Sequence, residues 1–265
     1  MGRVIPFSDL KKYLTSIKKL DSHRGTILDT NVLISSSYEP SNDSEDVSKI
    51  LDILGDEKYR LFATVNTRAE YLEFQRRLIL TESLFDSIDK HSKIKIASRV
   101  RAKIQTLKGS LKTSVNSDAD RLEVFNESQL KKIKKEFSAG PHSGQKGWLE
   151  ICETYLKDQI ALADKDLADR EVEYISPNDP SQSDLFNNQL GWPEAISICE
   201  KSGTAFGDSM ILNALKSSKL LFVVTLDFDI GYAALSDPKM KDVLVPDRLY
   251  KEFKQYHFPE KSNGH

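Results

Sequence analysis

Blocks of apolar residues at helical or strand spacing, separated by polar stretches, divide the chain into short elements. Leu10, Leu14, Ile17 and Leu20 recur at steps of three and four, with lysines at positions 11, 12, 18 and 19 between them, which predicts an opening amphipathic helix. Next, Gly25 to Ser35 reads Gly-Thr-Ile-Leu-Asp-Thr-Asn-Val-Leu-Ile-Ser. Ile27 and Leu28 end a short buried strand, Asp29 stands where the strand gives way to a loop, and Val32, Leu33 and Ile34 return to the core. A polar, acidic loop from Ser41 to Asp46 leads to a short helix carrying Val47, Ile50, Leu51 and Leu54 and closed by Gly55. Arg60 to Val65 reads as a second strand. Asn66 is then a fitting N-cap for a helix from Thr67 to about Ile79, which puts Glu70 in its first turn.

The pattern changes character between about 85 and 190. From Lys90 to Ser117 there are eight lysines and arginines and no acid, while Ile96, Val100, Ile104, Leu107 and Leu111 keep a helical stripe. A second charged helix covers about Leu122 to Phe137, and Gly140 to Gly147 breaks it. Leu149, Cys152, Leu156, Ile160, Ala163 and Leu167 predict a long acidic helix that runs on through Glu171 and Glu173, and Ser176 to Gly191 reads as a loop. The span 85–190 is therefore expected to be a helical insertion in an α/β core made of 1–84 and 191–265.

That core resumes at Trp192. A helix carries Ala195, Ile196, Ile198 and Cys199, and another opens at Gly203-Thr-Ala-Phe-Gly-Asp208. Leu220 to Leu226 is a continuous buried strand ending on Asp227, Phe228 and Asp229 start a short turn or helix, Val243 to Val245 form a last strand, and Asp247 caps a final helix. Strands alternating with helices predict a three-layer α/β/α sandwich around a mainly parallel sheet.

Composition narrows the setting. With 265 residues and a formal net charge of −2, the chain has no overall field drawing it to nucleic acid, so any basic surface is local. Cys152 and Cys199 have neither zinc nor disulfide spacing and are expected to be buried in a protein of a reducing compartment. No apolar run is long enough to span a bilayer and no signal-peptide core is present. The chain is therefore expected to be cytoplasmic and to have no membrane partner.

Candidate chemistry comes from position. Asp29 and Asp227 end strands, while Glu70 and Asp208 begin helices, so a parallel sheet would gather all four at its carboxyl edge. Each has a simpler explanation alone, since acids favour helix starts; one shared site explains the coincidence better. Carboxylates so placed need protons or cations, and an all-oxygen set selects hard ions such as Mg²⁺ or Mn²⁺. The chemistry that follows is metal-assisted phosphodiester hydrolysis with one or two ions. Glu73, one turn short of Arg77, needs no role beyond a surface pair. The basic stretch reads either as a solvated face or as a phosphate-contacting wall in which Lys93, Arg99, Lys103 and Lys108 would bind nucleic acid.

Taken as a set, Ile-Leu-Asp29-Thr-Asn31-Val-Leu-Ile, Glu70, Gly207-Asp208-Ser-Met-Ile-Leu-Asn-Ala-Leu and Val-Val-Thr225-Leu-Asp227-Phe-Asp229 resemble the PIN-domain nucleases, including toxin-type ribonucleases. The resemblance covers roughly 24–80 and 192–246. It implies an acidic tetrad of Asp29, Glu70, Asp208 and Asp227, with support from Asn31 and Thr225 and with Asp229 as a further metal ligand. It further implies Mg²⁺ or Mn²⁺ as cofactor and single-stranded RNA as substrate. The long insertion departs from compact toxins and leaves open an antitoxin-like or other protein partner and a homodimer. Other readings are an inactive PIN-like scaffold for RNA or protein and a structure-specific DNA nuclease. A haloacid-dehalogenase-type phosphotransferase would want Asp-x-Asp after the first strand, where position 31 is Asn.

Overall fold

The computed structural model describes residues 2–20, 23–89, 94, 96–115, 123–138, 144–237 and 239–254. They form two compact units, one comprising 1–71 and 168–265 and the other 72–167. These bounds are shifted toward the N-terminus from the 85–190 expected for the insertion, because residues 168–190, which include a strand of the first unit's sheet, belong to that unit, and the later part of a helix that begins in the first unit belongs to the second.

The first unit is built on one all-parallel sheet. Its strands are β1 (Val4–Pro6), β2 (Gly25–Leu28), β3 (Arg60–Ala63), β4 (Val172–Tyr174), β5 (Phe222–Val224) and β6 (Asp242–Val245), in the order β1-β6-β5-β2-β3-β4. The central strands are short apolar blocks buried on both faces, as parallel strands covered by helices must be. In β5, Val223 packs with Ile211, Leu212 and Leu215 of α10 (Phe206–Ser217), beside α9 (Trp192–Ser202) and α11 (Phe228–Ser236). Its neighbour Phe222 points the other way, meeting the Tyr13 ring of α1 (Leu10–Ile17) edge-on at 5.4 Å. Alternate residues thus feed two helical layers, and the three-layer α/β/α sandwich follows.

Connections leave β2 toward β3 and leave β5 toward β6, in opposite directions across the sheet. The two adjacent central strands therefore flank the point where strand order reverses, and a crevice opens outside their carboxyl ends. After β2 the chain turns directly into α2 (Thr30–Ser37), followed by α3 (Ser44–Asp56); after β3 it enters α4 (Val65–Ser87), and after β6 it enters α12 (Asp247–Phe253).

Several expectations are corrected. The chain opens on β1 rather than on a helix; this three-residue edge strand pairs with β6 and ends on Pro6, an allowed place for proline, and its brevity hides it from periodicity. Residues 172–174 are β4 rather than the end of an acidic helix. Arg60 on β3 grips Glu173 through two hydrogen bonds of 2.8 and 2.7 Å, so the acid is accommodated on an edge strand. Leu20 is 75% exposed and Tyr13 takes its place on the buried face of α1. Helix α4 starts at Val65, since Thr64 Oγ1 accepts the Thr67 N–H at 3.2 Å and serves as the cap in place of Asn66. Asp247 is the first residue of α12, and its carboxylate instead accepts the Ser8 N–H and hydroxyl.

The second unit is helical. It contains the later turns of α4, then α5 (Ser98–Val115), α6 (Glu127–Ser138), α7 (Gly144–Ile151) and most of α8 (Gln159–Asp169). Val100 and Ile104 of the predicted stripe are buried with Leu80, Leu84, Phe125, Ile133 and Phe137, and Ile96, Leu107 and Leu111 pack against them. Asn126 and Gln129 cap α6 reciprocally, each side chain accepting the other's backbone N–H at 2.9 Å. The long acidic helix is interrupted by a π-helical turn at Cys152–Leu156 and a left-handed Asp158 (φ 63°), which leaves Leu149 56% exposed. Cys152 and Cys199 are free thiols, both only partly buried.

A Cβ on Gly25 would lie 2.8 Å from both Leu220 Cδ2 and Phe62 Cε2. Gly25→Ala should therefore overpack the central strand and cost about 1–3 kcal/mol. Urea unfolding should show an earlier midpoint at an unchanged slope, and an unchanged midpoint would mean that the neighbours yield freely.

Candidate active site

Asp29 follows β2 at once, and its backbone N–H continues the ladder to Val224 O at 3.0 Å, so the sheet itself fixes its position. The side chain is 3% exposed. Its Oδ1 accepts the Thr30 N–H at 2.6 Å, capping α2, and its Oδ2 accepts the Thr225 hydroxyl at 2.7 Å. Two hydrogen bonds leave further lone pairs on both oxygens. Capping explains the bond to Thr30 but not the burial of a charge.

Asp227 arrives from β5 two residues after Thr225, whose Oγ1 accepts its N–H at 2.9 Å. The Asp227 carboxylate caps α11 through the Asp229 N–H at 2.7 Å. One threonine thus orients both strand-end acids. Asp208 lies in the first turn of α10, whose N-terminus is at the carboxyl edge because the helix returns antiparallel to the strands. Glu70 comes from the second turn of α4 rather than the first, a consequence of the earlier start at Val65. It is exposed, yet its Oε2 accepts the Thr30 hydroxyl at 2.6 Å and its Oε1 lies so near Gly207 that a Cβ there would sit 3.1 Å away.

The electrostatics tie these residues together. Burial, and then the charges of Asp208 and Asp227, push the Asp29 carboxyl up to about 7 against the hydrogen bonds that favour its charged form. Asp208 is raised to about 6 by burial first, then by Asp227, Glu70 and Asp229. The four predicted acids and Asp229 therefore share one field, at the reversal of strand order. Among the described residues no three His, Cys, Asp or Glu side chains converge closely enough to hold a single ion directly. The donor set nonetheless fits a hard divalent cation, because it is all carboxylate oxygen and carries excess negative charge. Direct ligation by three of these acids would need side-chain movement or bridging water.

Of the residues expected to support the site, Thr225 donates to Asp29, Asn31 is exposed on α2, and Thr30 makes the link to Glu70. Gly207 is the other addition, admitting Glu70 beside Asp208. The signal for both was present as neighbours of Asp29 and Asp208, but their partners are remote in sequence. Arg99, Lys103 and Lys108 lie on α5 of the second unit. Arg99 donates to Glu136 O at 2.7 Å and the Lys108 ammonium sits 4.1 Å from the Phe85 ring centre, so both have structural work; Lys103 is partly exposed. Lys93 lies outside the described residues.

Comparison with known proteins adds no relative. No family model, curated protein or solved structure matches the chain.

Both raised carboxyls predict a pH-dependent stability. A folded pKa of about 7 for Asp29 and about 6 for Asp208, against an ordinary 3.8, means the native state retains protons that the unfolded chain releases. Their contribution is fully present below about pH 4 and is lost as pH rises to 6 and then 7. In chelator, the melting temperature should fall across that window, and Asp208→Asn should flatten the fall and add about 1 kcal/mol at pH 7.5, after discounting for its partial exposure. Parallel wild-type and variant profiles would show that Asp208 ionises normally.

Proposed function

We propose that this chain is a PIN-like, metal-dependent nuclease that hydrolyses phosphodiester bonds in single-stranded RNA. The observation that carries the reading is that four carboxylates from four separate elements share one electrostatic field at the sheet's strand-order reversal, one of them, Asp29, 3% exposed and raised to about 7. A structural cap has no need of the acidic neighbours Asp208 and Asp227 that raise Asp29, whereas a cation site does. Asp29, Glu70, Asp208 and Asp227 would hold Mg²⁺ or Mn²⁺, with Asp229 at the margin. An ion held there would lower the pKa of bound water toward neutrality and would offset charge on the phosphate.

The protein's share is preorganisation. Thr225 holds the Asp29 and Asp227 segments in register, Thr30 fixes Asp29 and Glu70 together, and Gly207 leaves room for the Glu70 carboxylate. RNA as substrate follows the resemblance of the motifs, and a cytoplasmic setting fits it. Among the described residues no helix is long and apolar enough to cross a membrane.

Incubation of labelled single-stranded RNA and DNA with Mg²⁺, Mn²⁺ or chelator tests the proposal. RNA should be cut only with metal, and Asp29→Asn or Asp208→Asn should reduce the rate by roughly two or more orders of magnitude. Glu73→Gln should stay within about twofold, because Glu73 is engaged with Arg76 at 2.8 and 2.6 Å in an exposed pair. Failure of clean protein to cut either polymer with either metal would leave an RNA- or protein-binding scaffold as the better reading. Cleavage of DNA alone would make the chain a DNA nuclease.

A further inference from the structure

Two large aromatic rings stand in solvent beside the acids. Trp192, the first residue of α9, is 64% exposed, and Phe206, the first residue of α10, is 38% exposed. Their rings are stacked, with centres 5.4 Å apart and planes 13° from parallel. A single exposed aromatic needs no explanation. Two stacked rings fixed to the starts of adjacent helices form a flat, prearranged surface. Phe206 precedes Asp208 by two residues, and Gly207 between them is the residue against which Glu70 Oε1 packs. The platform therefore stands at the helix start that also carries Asp208, ring and carboxylate leaving the same turn about 200° apart around its axis.

We infer that Trp192 and Phe206 are a stacking platform for one unpaired base of a single-stranded nucleic acid strand whose backbone crosses the acidic site. This rests on the nuclease reading for its ligand class. The physical reason lies in charge: without its cation a cluster of carboxylates repels a polyanion, so a contact that involves no phosphate adds adhesion that the acids themselves do not supply. Every base has a π face, and a base laid on the outer indole face extends the existing stack without regard to sequence. In a duplex both faces of each interior base are already stacked, so a base within a duplex is closed to the platform and an unpaired one is open to it.

The test measures binding separately from cleavage. A fluorescent single-stranded RNA 12-mer is titrated in Ca²⁺, a hard cation that offsets the carboxylates, and its integrity is checked on a gel afterwards. Trp192→Ala should weaken binding about tenfold, Trp192→Phe should retain most of it, and duplex RNA should bind alike to all three proteins. One abasic site placed along the 12-mer should cost the wild type as much as Trp192→Ala does, and should cost that variant nothing more. Exposure of Trp192 means that the variants should melt with the wild type, so lost binding cannot be blamed on lost folding.

Equal affinity of wild type and Trp192→Ala would overturn the inference, as would equal losses for single-stranded and duplex RNA. So would an unchanged RNA affinity accompanied by a shift from dimer to monomer in sedimentation, which would make the rings a contact between copies. If the wild type binds through Trp192 but cuts nothing, the nuclease reading falls and the platform stands. If it cuts and Trp192→Ala is neutral, only the platform falls.

Discussion

The hydrogen bond from Thr225 Oγ1 to Asp29 Oδ2, 2.7 Å long and buried, joins residues 196 positions apart, and the site is arranged around it. The carboxylate it holds is nearly closed off from water, at the border of two central strands whose connections diverge. Placing a charge there is costly, and each nearby polar contact offsets part of that cost. The Thr30 N–H accounts for one oxygen and Thr225 for the other; Thr225 in turn accepts the Asp227 N–H. Remove that hydroxyl and both strand-end acids lose their common reference.

The surrounding fold can be understood as the means of delivering other acids to the same place. Parallel strands send every following helix away from the carboxyl edge and every preceding helix starts there, so Glu70 and Asp208 reach Asp29 from opposite sides of the sheet. The result is an accumulation of negative charge that the chain alone does not neutralise, expressed in the raised carboxyls of Asp29 and Asp208. Such a site opposes both folding and polyanion binding unless a cation is present. That conflict is a common mark of sites selected for chemistry rather than for stability.

Much of this was legible because it is local. The run Ile27-Leu28-Asp29, the run Val223-Val224-Thr225-Leu226-Asp227 and the start of α10 at Phe206 combine short apolar blocks with acids in positions that any parallel sheet would place at one edge. Errors arose where the local signal was weak or equivocal. Val4–Pro6 and Val172–Tyr174 are three-residue edge strands whose pairing comes from the sheet rather than from their own pattern. Thr64 and Asn66 are both good caps, and tertiary packing chose the first, moving Glu70 two positions, a little over half a turn, along the helix.

The sequence by itself determined the alternation of strand and helix, the α/β class and the four acids, since hydrophobic period and strand-end position are properties of contiguous residues. Tertiary structure decided which strands are neighbours, that Thr30 serves Glu70 as well as capping α2, that Gly207 makes space for a carboxylate, and that Trp192 meets Phe206. Those facts concern residues brought together across 14 to 239 positions. A chain's local preferences cannot specify such distances, because only the packing of the whole sheet fixes them.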